Sequence, residues 1–405
     1  MKLHRHLVEN LIAALHEIFS AQKQADKVIE RFLKSQKKWG SRDRRFFAES
    51  CYETVRYWRR LWVSAGLPEN GNWRGEALSR SDVWTVWARY EWERSGELPE
   101  WPETEGLSFS STLPKMSRAV RESIPDWLDE LGAQSFPGDW DSLLASLNKP
   151  AEVFLRANTL KSDLKTVRKA LADEGIESEP VPGIPDGLRL PVRKNVFLTK
   201  AFHQGFFEVQ DAASQTVAPL LRVEPGQRVV DACAGGGGKT LHLAAMMKNK
   251  GKILSMDIHE WKLKELKNRA RRAGADIVET RVIESSKTIK RLEGSADRLL
   301  LDVPCSGLGV LRRNPDAKWR LSFEEIERLT VLQQEILTSY SRMVKPGGLM
   351  VYATCSILPM ENEKQVQKFL ASSSGQGWVL EEEQHHRPDR DGFDGFYGAR
   401  LSRAK

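Results

Sequence analysis

Cysteine is nearly absent: Cys51, Cys233, Cys305 and Cys355 are the four in a chain of 405 residues. So few thiols argue against a disulfide framework, and no two have the spacing of a metal-ligand set, so no metal is expected. Long apolar runs are missing too. Nothing approaches the ~18 residues that would span a bilayer. The opening residues, Met1-Lys-Leu-His-Arg-His6, lead into an amphipathic pattern with Glu9, His16 and Glu17, not into the apolar core of a secretory signal. There is no internal repeat. A soluble protein of the reducing cytoplasm is expected, where reactive thiols survive.

What is present is charge, unevenly spread. The formal net charge is +7 and the pI about 9.1. Residues 1–65 carry 14 Lys/Arg against 7 Asp/Glu, residues 66–148 carry 7 against 15, and residues 149–405 carry 41 against 33. A basic head and a basic body separated by an acidic segment suit an anionic partner touched by both ends. At this length two or three domains are expected.

Three domains can be read in order. Residues 1–148 read as helices. Leu7, Leu11, Ala14, Leu15 and Ile18 share one face, and a helix from near Ser41 turns Phe46, Phe47, Cys51, Val55 and Trp58 inward and Arg44, Arg45, Arg56, Arg59 and Arg60 outward. The acidic, Trp-rich stretch near 66–112 interrupts this pattern and looks helical only from Ser81 to Ser95. Residues 149–204 read as a small α+β unit, with a strand over Glu152–Asn158 and a helix over Leu164–Glu174. From 205 to 405 strands and helices alternate, with strands at Arg228–Cys233, Lys252–Ile258, Ile277–Ile283, Asp297–Val303 and Leu349–Thr354. That alternation predicts an α/β doubly wound, Rossmann-like sheet. Trp378–Glu383 and Phe396–Leu401 would add an antiparallel pair.

Two strand ends carry chemistry. In Leu299-Leu-Leu-Asp-Val-Pro-Cys-Ser-Gly-Leu-Gly-Val310 an apolar run ends on Asp302 and turns through Pro304 to Cys305; in Gly348-Leu-Met-Val-Tyr-Ala-Thr-Cys-Ser356 another ends on Cys355. Ligands of open α/β sheets bind outside the carboxyl ends of strands. The first strand runs into Asp231-Ala-Cys-Ala-Gly-Gly-Gly-Gly-Lys239, whose glycines let the backbone approach a ligand. A phosphate-binding loop would need Gly where Cys233 stands. The alternative is the nucleoside loop of an S-adenosylmethionine-dependent methyltransferase, whose next strand should end on an acid for the ribose hydroxyls; Asp257 fits. Cytosine carbon-5 attacks a methyl donor only after a thiolate has added to carbon-6. Asp302, Cys305 and Cys355 can supply such a site.

Asp302-Val-Pro-Cys-Ser-Gly-Leu-Gly309 and Ala353-Thr-Cys-Ser356 resemble the two signature motifs of the RNA cytosine-C5 methyltransferases. Gln210-Asp-Ala-Ala-Ser214, Asp231–Lys239, Arg312-Arg-Asn-Pro-Asp-Ala-Lys-Trp319 and Gly395-Phe-Tyr397 match as well. The basic head resembles the antitermination-factor-like domain of the bacterial enzymes that modify 16S ribosomal RNA, and the strand through Phe154 resembles that family's small RNA-recognition domain. The resemblance implies Cys355 as nucleophile, Cys305 assisting product elimination, Asp302 hydrogen-bonding cytosine N3 and Lys239 orienting base and cofactor. It implies S-adenosylmethionine held by Asp231, Ala232, Cys233, Ala234, Gly235, Gly236, Gly237, Lys239, Asp257 and Asp302, with Glu284 where the family usually has Asp. RNA contacts are expected from Arg156, Asn158, Arg312, Arg313 and Lys318. Ribosomal RNA leads as substrate and transfer RNA follows; a non-catalytic RNA-binding assembly factor is the rival class. A monomer is expected.

Overall fold

The computed structural model describes residues 3–69 and 73–405, so part of the acidic segment, residues 70–72, and the first two residues lie outside the described residues. The chain divides into two compact units: residues 1–149 with 311–323, and residues 150–310 with 324–405.

The first unit is all-helical. Helices Arg5–Ser20, Ala25–Ser35, Ser41–Arg56, Trp58–Ser64 and Arg80–Ser95 close around Leu11, Leu15, Phe47, Cys51, Val55 and Trp58. The acidic stretch belongs to this core. Ser79 caps the helix Arg80–Ser95 by accepting from the Asp82 N–H, and Trp87, wholly buried, stacks on Trp101 at 6.0 Å. Its tryptophans are there for apolar area, and of its carboxylates Glu91 is buried, pairing with Arg94. Arg56 and Arg59, expected on the outer basic face, are inside. Arg59 donates to the Ile124 carbonyl and pairs with Asp126 and Glu69, satisfying a guanidinium that burial would otherwise strand.

The segment 311–323 belongs to this helical unit although it is encoded between the two thiol motifs. Trp319 donates from Nε1 to the Val55 carbonyl at 2.8 Å, and Asp316 accepts from the Ala25 N–H.

The second unit contains two sheets. The smaller holds β1 (Val153–Ala157), β2 (Glu179–Pro180), β3 (Gly187–Leu190) and β4 (Phe207–Val209), in the order β2-β3-β1-β4 and antiparallel throughout. Since β4 pairs with β1, the small domain reaches past the expected boundary at 204. The larger sheet holds β5 (Arg228–Asp231), β6 (Lys252–Asp257), β7 (Val278–Val282), β8 (Ala296–Asp302), β9 (Val344–Thr354), β10 (Trp378–His386) and β11 (Phe396–Arg403). Its order is β10-β11-β9-β8-β5-β6-β7. Strands β5 to β9 are parallel; β11 alone is reversed, antiparallel to both β9 and β10, so β10 runs in the common direction. The central strands are apolar on both faces because helices such as Gly238–Met246, Glu260–Ala273 and Phe323–Tyr340 cover them. The order reverses between β5 and β8, so the crevice of the sheet opens above Asp231 and Asp302. Among the described residues no helix is long and apolar enough to cross a membrane.

Candidate functional site

The two thiols meet. Cys305 follows β8, Cys355 follows β9, and their Sγ atoms stand 3.3 Å apart. Register brings them together: Asp302 lies opposite Ala353 in the parallel β8–β9 pair, so both chains leave the sheet at one level. Their loops are then stitched, Gly309 N–H donating to the Cys355 carbonyl at 2.9 Å and Gly395 N–H to the Gly309 carbonyl at 2.8 Å. The hydrogen bond to Cys355, then burial, then the charge of Cys355 and after it that of Glu361 push the Cys305 thiol well above the ordinary value.

Beside the thiols lies an ion pair. Lys239 Nζ donates to Asp302 Oδ2 at 2.6 Å and sits 5.1 Å from the Phe396 ring centre. Burial would lower the lysine, yet the charge and hydrogen bond of Asp302 hold it above its ordinary value, and Cys355 lies within its electrostatic reach. A carboxylate, an ammonium and two thiols thus converge at one strand-end crevice.

The glycine turn stands on the other side of Asp302. Gly235 (φ +53°) and Gly237 (φ +87°) have left-handed backbones. A Cβ on Gly237 would come within 2.5 Å of Leu266, whereas one on Gly235 would project into open space, where a ligand can approach. Asp257 orients the turn: its Oδ2 accepts from Gly235 N–H at 3.0 Å and its Oδ1 from His259 N–H at 2.8 Å. Asp231 is 1 % exposed. Thr240 donates to its Oδ2 at 2.6 Å, and the Cys233 N–H supports the same carboxyl. Burial, helped by the charge of Asp302 and opposed by Thr240, pushes this carboxyl up to about 7. Cys233 lies in the same turn, its thiol pushed well up by burial; Ala232 is buried beneath it, and Ala234 and Gly236 are half-buried within it. Glu284 is exposed after β7, next to a cavity of about 260 Å³ lined by Ile283, Ser285, Ile289, Leu332, Ile336 and Tyr340. The turn and the strand-end acids Asp231 and Asp257 fit a nucleoside with ribose hydroxyls and a charged amino-acid tail; none of them lines the cavity beside Glu284.

The expected RNA contacts fare differently. Lys318 is 1 % exposed and donates to the Arg56 carbonyl at 2.8 Å and to Asn148 Oδ1 at 3.1 Å; it is a strut of the helical unit, out of reach of a phosphate. Arg312 is buried, and its carbonyl accepts from Arg56 at 3.0 Å; Arg313 is half-buried. Arg156 is buried opposite Glu208 in the β1–β4 pair, and burial lowers its guanidinium to about 10. Asn158 is buried too, its amide donating at 2.8 Å to both the Gly205 and Ala273 carbonyls. The polar side of β1 is packed against the rest of its own unit, so polarity there serves assembly, not ligand contact.

Two carboxylates at the site carry no motif signal of their own. Glu208 accepts from Arg269 at 3.0 Å and also from Arg272, while Arg269 donates to the Gly236 carbonyl at 2.7 Å, tying the small sheet to the glycine turn. Glu361 lies within Leu358-Pro-Met-Glu-Asn362, just past the second thiol motif, and that proximity was the one available clue.

A seven-stranded sheet in this order, parallel but for the one reversed strand β11 and bearing a glycine turn after its first strand, is the fold of the S-adenosylmethionine-dependent methyltransferases. The profile of the 16S rRNA methyltransferase RsmB/F family matches residues 218–402, and that of the RsmF/B-like ferredoxin-like domain matches residues 124–196. The chain is 35% identical over 305 residues to the ribosomal RNA small subunit methyltransferase B of Pasteurella multocida, covering 71% of this chain and 67% of that one. It is 39% identical over 261 residues to the "Probable ribosomal RNA small subunit methyltransferase B" of Synechocystis sp., covering 63% of this chain and spanning 58% of that protein's length. The crystal structure of PH0851 superposes over the whole of both chains with a TM-score of 0.81 at 26% identity. The chain belongs to the RsmB/F family.

Proposed function

We propose that this protein methylates carbon-5 of a cytosine in ribosomal RNA through a covalent adduct on Cys355. The observation that carries the reading is the pair of thiols 3.3 Å apart beside the Lys239–Asp302 ion pair. A methyltransferase attacking an already nucleophilic atom needs no thiol; cytosine carbon-5 needs one.

Cys355 Sγ adds to carbon-6, forming a C–S bond and making carbon-5 electron-rich; its thiol proton passes through Asp302 to N3, Asp302 then accepts a hydrogen bond from N3–H, and Lys239 holds Asp302 and the base in place. S-adenosylmethionine, held by Asp231, the glycine turn, Asp257 and Glu284, supplies an electrophilic methyl group. Cys305 assists the elimination, in which the carbon-5 proton passes to water, the C–S bond breaks with its electron pair returning to Cys355, and the N3 proton goes back through Asp302 to that thiolate. The target base must be turned out of any helix, at a cost of a few kcal/mol if paired.

The test is methyl transfer from labelled S-adenosylmethionine to ribosomal and transfer RNA in parallel, followed by digestion to nucleosides. Label in 5-methylcytidine from ribosomal RNA is expected. Label confined to transfer RNA would reassign the substrate; label in neither would favour an RNA-binding assembly factor.

The carboxyl of Asp231 gives this reading a pH signature. A cofactor with a cationic tail needs it ionised, and its value is about 7. Affinity for S-adenosylhomocysteine, measured by calorimetry, should therefore be roughly tenfold weaker at pH 6 than at pH 8. In Asp231→Asn that dependence should flatten.

A further inference from the structure

Glu361 is wholly buried and every lone pair it presents is engaged. Its Oε1 accepts from the Ser306 N–H at 2.8 Å and from Gln333 Nε2 at 3.0 Å. Its Oε2 accepts from Ser306 Oγ at 2.5 Å and from Ser356 Oγ. Ser306 follows Cys305 directly and Ser356 follows Cys355, so one carboxylate grips the residue after each thiol. Asn362 adds a bond from its amide to the Ser356 carbonyl at 3.0 Å, and Gln333 also donates to the Pro304 carbonyl at 3.0 Å, just before Cys305.

We propose that Glu361 is a positioning residue for the two thiols: it clamps both cysteine loops into one frame, and its negative charge beside Cys305 leaves the nucleophilic role to Cys355. The inference rests on the reading of the two cysteines given above.

The chemistry needs both effects. Two thiols at van der Waals distance are near-equivalent nucleophiles unless their surroundings differ, and attack by the wrong one ends in an unproductive adduct. The groups facing Cys305 are Cys355, Glu361 and Tyr352, with the Lys239–Asp302 pair on the Cys355 side. Glu361 disfavours the Cys305 thiolate, whereas the Lys239 ammonium lies within reach of Cys355. A buried carboxylate costs several kcal/mol to desolvate unless fully hydrogen-bonded, so four donors converging on one is an arrangement that a purely apolar clamp would not require.

Clamp and charge can be separated. Glu361→Gln keeps the shape and lets its oxygen retain the two N–H donors, while the serine hydroxyls turn to accept from the new amide. It removes only the charge. Ser306→Ala with Ser356→Ala removes the hydroxyl arms and keeps the charge. Each protein, free of RNA and cofactor, would be alkylated with iodoacetamide across pH 6–10, and each cysteine quantified by peptide mass spectrometry. In Glu361→Gln the Cys305 profile should move to lower pH than in wild type, because the carboxylate charge that opposes its thiolate is gone. In the double serine variant it should stay within a few tenths of wild type, while kcat falls roughly 10–100-fold with the KM for S-adenosylmethionine unchanged. An unmoved Cys305 profile in a folded Glu361→Gln protein, verified by circular dichroism, overturns the charge role. A double serine variant with wild-type kcat overturns the clamp. Because alkylation needs no RNA, failure of the charge role is distinguishable from failure of the methylation reading itself; the kcat comparison is made only where the wild-type protein methylates RNA, so failure of the clamp is distinguishable as well.

Discussion

Mixed with ribosomal RNA and S-adenosylmethionine, the Cys305→Ala protein should accumulate a protein–RNA band that survives denaturation, and Cys355→Ala should form none. Both variants should lose turnover, Cys355→Ala by at least about 10⁴-fold, the scale on which loss of a covalent nucleophile is felt. The asymmetry follows from the two roles: without Cys355 no carbon–sulfur bond forms, and without Cys305 the bond forms and the methylated base cannot be released. The 3.3 Å separation makes the reverse result conceivable, since either thiol could reach a base placed between them. A band from Cys355→Ala would exchange the assignments. Neither variant forming a band, with label still reaching cytosine, would remove the covalent step.

The second large effect concerns stability. In Lys318→Met the aliphatic stem still fills its place, but the Arg56 carbonyl and Asn148 Oδ1 each lose a donor inside the helical unit. Two buried acceptors left unpaired cost about 3 kcal/mol, and Tm should fall by roughly 6–12 °C. The pH dependence has a definite sign. Burial, helped by the charge of Arg56, holds the Lys318 ammonium well below the ordinary lysine value of 10.5. The unfolded chain therefore binds a proton that the folded chain releases at lower pH, and stability rises with pH up to about 10.5 through this group. Denaturant unfolding of wild type against Lys318→Met should show that slope in the first and not in the second. A Tm within 2 °C of wild type would mean that the strut is dispensable.

The sheet and the thiol pair were legible because they rest on local signals. An apolar run ending on Asp302 and Cys305, or on Cys355, reads as a buried strand with its end in a crevice, and observed strand bounds lie close to expectation: Ala296–Asp302 against 297–303, Lys252–Asp257 against 252–258. Polar residues on other elements misled, because burial of a charge depends on a partner distant in sequence. Arg56 and Lys318 are separated by 262 positions, and neither carries a mark that distinguishes it from a solvated cation. Arg156 sits in an alternating strand whose polar side would normally face water; here Glu208 and the methyltransferase part of the unit cover it. Glu361 was missed for the opposite reason. Its importance lies in convergence, four donors from three elements, and no spacing rule encodes that.

The segment 311–323 also sets an order of events in synthesis. A helical unit whose core includes Trp319 stays incomplete while the ribosome makes the small domain and half of the large sheet. Until residue 323 has emerged, the Val55 and Arg56 carbonyls lack the donors that will cover them. Domains of most chains close one after another from the N-terminus. Here the first to begin cannot finish before the second is well under way, and a fragment ending at Lys149 would expose an unfilled apolar socket.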